Sequence, residues 1–209
     1  MSLLSSSVSI SRYRVTGKLP EAALEYVREA LKQNAVRDID NDPVEQSVGW
    51  TPLETPFQPD FEAASIVYGT AFVFSLRMDK KTVPAKILKK HLETAVAGRL
   101  AKTERNALSR MEKAELKEEV FRRLLVRMPA VPHIYDLVWH YETDDLWFFS
   151  NLKAANEALE TLFTKSFKIS IVRMFPYTAA EHLCDLKSHE KDVLMKLSAV
   201  PMQEGGGHA

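Results

Sequence analysis

The chain has 209 residues, 28 basic and 28 acidic, so its formal charge is zero, and 45% of it is hydrophobic, which suits one folded α+β body with an ordinary core. No apolar run approaches the roughly 18 residues of a membrane-crossing helix, the longest being Ala71 to Phe74, and Met1 to Ile10 lacks the charged and apolar regions of a signal peptide, so a cytoplasmic protein is expected. The single cysteine, Cys184, excludes an intramolecular disulfide and a thiolate cluster and reads as a small apolar residue.

In chain order, Val8 to Thr16 reads as a first strand, and Gly17-Lys18-Leu19-Pro20 turns into a helix that buries Leu24, Val27, Ala30 and Leu31 at three- and four-residue spacing. Asp38 to Pro59 carries four prolines and reads as a connecting loop, with Gly49-Trp50-Thr51-Pro52 inside it and Trp50 pinning it to the body. Ala63 to Val67 and Ala71 to Leu76 flank Tyr68-Gly69-Thr70 as a hairpin.

Val83-Pro84 starts a helix, proline being well placed where an N–H is not needed. Leu88, Leu92, Ala95, Val96 and Leu100 keep helical spacing to about Lys102. Ser109-Arg110-Met111-Glu112 is a capping box that opens a second helix to about Met128. Leu116, Val120 and Leu124 share a side of it with Arg110, Lys113 and Lys117, which lie nearer its start. A face buried throughout could not hold three cations without partners, so the two helices are expected to form a hairpin that projects from the sheet.

Ile134 to Tyr141, Thr143-Asp144-Asp145 and Leu146 to Phe149 form another hairpin. Asn151 caps a helix to about Lys165, Phe167 to Met174 is a last strand, a short helix follows Pro176, and Gly205-Gly206-Gly207 is a frayed tail. The expected fold class is α+β, with two related βαββ and ββαβ halves in antiparallel sheets around a projecting helical hairpin. The divisions fall at 1–79, 80–128, 129–176 and 177–209: first half, basic hairpin, second half, and C-terminal helix with its tail.

The neutral total hides an asymmetry. Between Lys80 and Arg127 stand fourteen Lys or Arg against six Glu, a net of +8 that the remainder offsets with −8. Such a segment points to a phosphate-facing element, and its candidate DNA contacts are Lys80, Lys81, Lys86, Lys89, Lys90, Arg99, Lys102, Arg105, Arg110, Lys113 and Lys117. The bland alternative is a solvated helix pair held by Glu–Lys pairs one turn apart.

The ordered set Gly49-Trp50-Thr51-Pro52, the hairpin with Gly69, Lys81-Thr82-Val83-Pro84, Glu112-Lys113-Ala114-Glu115-Leu116-Lys117-Glu118-Glu119-Val120 leading to Leu124-Leu125, and the aromatic hairpin around Trp139 and Trp147 resembles the recombination-associated RdgC family, over roughly residues 8 to 176. The resemblance implies a nucleoid-associated homodimer that encircles double-stranded DNA with little sequence preference and restrains recombinase-driven strand exchange. Its partners would be duplex DNA, a second copy and a recombinase. Members are usually longer at the C-terminus, so the chain reads as a shortened variant, and the family's Leu-Leu-Pro-Arg-Ala-Phe stands here as Leu124-Leu125-Val126-Arg127-Met128-Pro129.

Two other readings compete with DNA holding. One is a protein–protein interaction module on the same fold. The other is a nuclease, because Pro59-Asp60 followed by Asp79-Lys80-Lys81 imitates a pattern in which paired carboxylates hold Mg²⁺ and a lysine positions water. Asp79 ends its strand, where Lys80-Lys81 turns the chain into a helix, and Glu115 and Lys117 point apart on theirs. No enzyme activity, catalytic residue, metal or cofactor is therefore expected. His182, Cys184 and His189 fit no ligand spacing, and Trp139, Tyr141, Trp147, Phe148 and Phe149 are read as core rather than as a base-stacking surface.

Overall fold

A computed structural model describes residues 3, 5–103, 105–184 and 186–197. The expected α+β class holds. One antiparallel sheet of seven strands carries two helices on one face and a helical hairpin at its end. The strands are β1 (Ser11–Thr16), β2 (Gln46–Thr51), β3 (Val67–Tyr68), β4 (Ala71–Lys80), β5 (Val131–His140), β6 (Asp145–Phe148) and β7 (Ser170–Arg173). The helices are α1 (Ala23–Gln33), α2 (Ala85–Thr103), α3 (Arg110–Arg127), α4 (Lys153–Phe167), α5 (Pro176–Leu183) and α6 (Ser188–Lys196).

The sheet runs β2-β4-β5-β6-β1-β7, with β3 beside β4. The two expected halves are therefore not separate sheets. β4 and β5 pair along ten residues, from Ala71 opposite His140 to Lys80 opposite Val131, and β1 from the N-terminal part lies between β6 and β7. The helical hairpin takes the place of a turn between the two central strands, leaving at Lys80 and returning at Val131 directly across.

Strand alternation explains the core. Phe72, Phe74, Leu76 and Met78 of β4 stand beside Trp139, Leu137 and Tyr135 of β5 and face α1 and α4, as do Leu146 and Phe148 of β6 and Tyr13 of β1. From α4 come Ala155, Leu159, Leu162, Phe163 and Phe167, and from α1 Val27, Ala30 and Leu31. Leu24, expected in that stripe, is exposed. Trp139 packs edge-on to Phe163 at 5.1 Å and close to Phe167 at 5.3 Å. Tyr13 donates its hydroxyl to Asn156 Oδ1 at 2.6 Å with a Glu160 carboxylate oxygen 3.1 Å away, tying β1 to α4. Burial, then the Glu160 carboxylate, pushes the Tyr13 phenol up from its ordinary value.

The segment expected to be loop from Asp38 to Pro59 contains strand β2. Gln46, Ser47 and Gly49 have little strand preference of their own, and non-local pairing with β4 decides their conformation. Gly49 is required there, because a Cβ would lie 2.3 Å from the Val36 Cα of the crossing chain. Trp50 does pin the segment to the body: it is fully buried, lies 5.1 Å from Phe74, and donates its indole N–H to Ser166 Oγ at 2.8 Å.

Smaller boundaries shift too. The hairpin around Gly69 has only Val67–Tyr68 as its first strand, and Gly69 takes a φ of 62° in the turn. The N-cap of α4 is Leu152 rather than Asn151, its amide bonded to Ser150 Oγ at 3.2 Å. Phe167 ends α4 instead of opening the last strand. Two helices rather than one follow Pro176, and the glycine tail lies outside the described residues. No helix among the described residues is long and apolar enough to cross a membrane.

Candidate nucleic-acid interface

The hairpin begins with a lock. Lys81 is buried, and its three ammonium protons go to backbone carbonyls: Asp40 at 2.7 Å, Asp42 at 3.0 Å and Leu125 at 2.9 Å. Leu125 lies in the last turn of α3, where its carbonyl also accepts from the Met128 amide at 3.2 Å and a cation is favoured at the helix C-terminus. Lys81 is therefore a structural tie between the 38–45 segment and the foot of α3, and it leaves the set of expected phosphate contacts. Lys80, the last residue of β4, is half-buried.

Beyond the lock, α2 has no buried residue, whereas α3 buries Leu116, Val120, Leu124 and Leu125. The expected split of α3 is present, with Arg110, Lys113 and Lys117 exposed in its first half. Its start is the anticipated capping box: Ser109 Oγ accepts from the Glu112 amide at 3.2 Å, and Glu112 accepts from the Ser109 amide at 2.8 Å. That Ser109 amide, more than the nearby Arg105, holds the Glu112 carboxyl below its usual range. Arg105 is exposed but engaged, 2.9 Å from Glu112. Leu108, in the link between the helices, is buried, which no periodicity in the sequence singles out.

The remaining candidates stand in water. Lys86, Lys89, Lys90, Arg99, Lys102, Arg110, Lys113 and Lys117 are all exposed. Among the described residues only Lys89 of these forms an ion pair, a loose one of 3.9 Å with Glu93. Lys86, Lys89 and Lys90 crowd the opening turns of α2, and its first turn holds no acidic residue. Cations at the positive end of a helix oppose its dipole by about 0.3–1 kcal/mol each, so this arrangement does not serve helix stability. At 100° per residue, Arg99 and Lys102 point to the other side of α2. There they line a cleft of about 360 Å³ with His91, Glu119 and Arg123. The exposed cations of α2 thus fall on two sides of the helix and do not form one stripe.

Both carboxylates of the nuclease-like pattern have other partners. Asp79 is buried and grips Arg77 through two contacts of 2.7 and 2.8 Å, while exposed Asp60 accepts from the Glu62 amide at 2.8 Å. Among the described residues no group of three or more His, Cys, Asp or Glu could hold a metal ion. Cys184 and His189 are both exposed, so Cys184 is not a core residue.

One patch departs from the sequence expectation. Trp147 is expected in the core with Trp139, Phe148 and Phe149, which are indeed buried, but it is 38% exposed. It lies between the core residues Leu146 and Phe148, so alternation turns it to the face opposite α1 and α4. There it pairs across strands with Arg12 and Val138, lies 5.2 Å from His140, and has Arg14 and Asp145 on the next rung. Strict period two, applied to Leu146-Trp147-Phe148, is the signal that finds it.

A family model described as "Putative exonuclease, RdgC" matches residues 9–181. No curated protein matches the chain.

Proposed function

The chain belongs to the RdgC family, and from that premise we propose that it holds double-stranded DNA without reading its sequence and without cutting it. Working as a nucleoid-associated homodimer in the cytoplasm, it restrains recombinase-driven strand exchange. The observation that carries the reading is the hairpin's surface: Lys86, Lys90, Arg99, Lys102, Arg110, Lys113 and Lys117 are exposed without an ion pair among the described residues. A helix pair needed only for solubility would balance its cations with carboxylates one turn away, as Arg122 and Glu118 do at 2.9 Å. Free cations on a rigid projection suit phosphates, which position a protein on DNA without carrying sequence information.

The exonuclease in the family's description would need metal-binding carboxylates. Support for holding over cutting comes from Asp79, whose carboxylate is already occupied by Arg77. The deciding experiment is fluorescence anisotropy of a labelled duplex across a salt series, with an unrelated duplex as competitor and Mg²⁺ present or absent. Each phosphate contact contributes about 0.9 to the slope of log affinity against log salt, so a steep slope, equal competition and intact DNA are expected. No binding at low salt would overturn the reading, and Mg²⁺-dependent shortening of the duplex would replace it with the nuclease.

A further inference from the structure

We propose that the face of the sheet opposite α1 and α4 carries a stacking platform for an unpaired DNA base, formed by Trp147 with His140 beside it and Arg12 and Arg14 as the phosphate-facing cations. Antiparallel register sets the parts side by side. Val138, Trp147 and Arg12 form one rung on β5, β6 and β1, and His140, Asp145 and Arg14 form the next. Adjacent strands lie about 4.8 Å apart, so each rung is a short, nearly flat row.

Three features single this place out. Trp50 and Trp139 are no more than 1% exposed, yet Trp147 shows 38% of its surface to solvent, with the His140 ring 5.2 Å away and steeply inclined to it. Arg12 and Arg14 lie 4.0 and 3.7 Å from the Asp145 carboxylate, and Arg12, the cross-strand partner of Trp147, is 61% exposed. An exposed ring beside an exposed guanidinium is the pairing by which proteins hold single strands, the base stacking on the ring and the backbone lying along the cation. A duplex cannot use the ring, since its bases are already stacked on one another. The platform therefore serves a strand that has been opened, while the hairpin's lysines serve the closed one.

The proposal deepens the DNA-holding reading and rests on it in taking the polymer to be DNA. Because Trp50 and Trp139 are buried, the part of the indole emission that a bound strand quenches and that is missing in Trp147→Ala reports on Trp147. The experiment titrates the full chain, as native protein and as Trp147→Ala and Trp147→Phe, with oligothymidylate and with a duplex of the same length. Oligothymidylate is expected to quench the native emission. Trp147→Ala should weaken strand binding by at least about tenfold while duplex affinity stays within about twofold, and Trp147→Phe, which keeps a ring, should retain strand binding within about threefold.

Equal strand affinity for native protein and Trp147→Ala, or unchanged emission at saturation, would overturn the platform while the duplex reading stood. Strand binding that depends on Trp147 with no duplex binding would support the platform and overturn the duplex reading. Failure of both ligands to bind would overturn both.

Discussion

Helices α4 and α2 are of similar length and opposite kinds. α4 buries seven of its residues, from Ala155 to Phe167, and gives the sheet its core. α2 buries none and sets Lys86, Lys89 and Lys90 in its opening turns. The first helix is fixed by what it excludes from water and the second by what it presents to it. Mutations should therefore damage stability and binding separately, depending on which helix they strike.

The largest effect is expected from breaking the core side of that contrast. Phe163 is fully buried against Trp139 and Phe167, so Phe163→Ala should cost about 3–5 kcal/mol, read as a fall in the urea midpoint, and should remove DNA binding only as the protein unfolds. The binding side breaks without unfolding. Replacing Lys86, Lys89, Lys90, Arg110, Lys113 and Lys117 together by Gln should flatten the salt slope by as much as about 0.9 for every phosphate no longer neutralised. The urea midpoint should barely move, since each is an exposed surface change of about 0.5 kcal/mol or less.

Lys81→Met sharpens the comparison, because Lys81 belongs to the hairpin by sequence and to the core by position. Three carbonyls would lose a donor, costing about 1–3 kcal/mol. Duplex affinity should fall less than in the sixfold variant if the lysine only sets the hairpin's foot. The smallest effect is the pH dependence of the α3 cap. Glu112's carboxyl is held below its ordinary 4.5 by the Ser109 amide, so its contribution is complete above that pH and is lost as pH falls through the lowered value. Helix content of the native protein should therefore decline in that acid range, and Glu112→Gln should remove that part of the titration.

The two helices of the hairpin, their capping box and the expected split of α3 are readable in the sequence because local signals set them: Pro84 at the start of one, Ser109 and Glu112 at the start of the other. The β4–β5 pair is readable as two strands, since alternation is also local. What escapes depends on distance along the chain. β2 is a strand because β4 lies beside it, and β1 sits between β6 and β7 because their edges meet there. Lys81 looks like one more member of a basic run until the carbonyls of Asp40, Asp42 and Leu125 close around it. At the candidate site composition reveals that charge is concentrated, but only burial separates the lysine that is tied from those that are free.

The place of β1 between β6 and β7 has a consequence for how the protein is made. Tyr13 must find Asn156, a partner 143 positions later, and Arg14 pairs with Val172 of β7. At about 5–20 residues per second of synthesis, β1 waits on the order of ten seconds after leaving the ribosome for β6 and β7 to emerge. During that interval Tyr13 and Val15 have no sheet to enter. A nascent chain halted before Phe148 should therefore carry its N-terminus open to protease and to chaperones, while the same chain released complete should shield it.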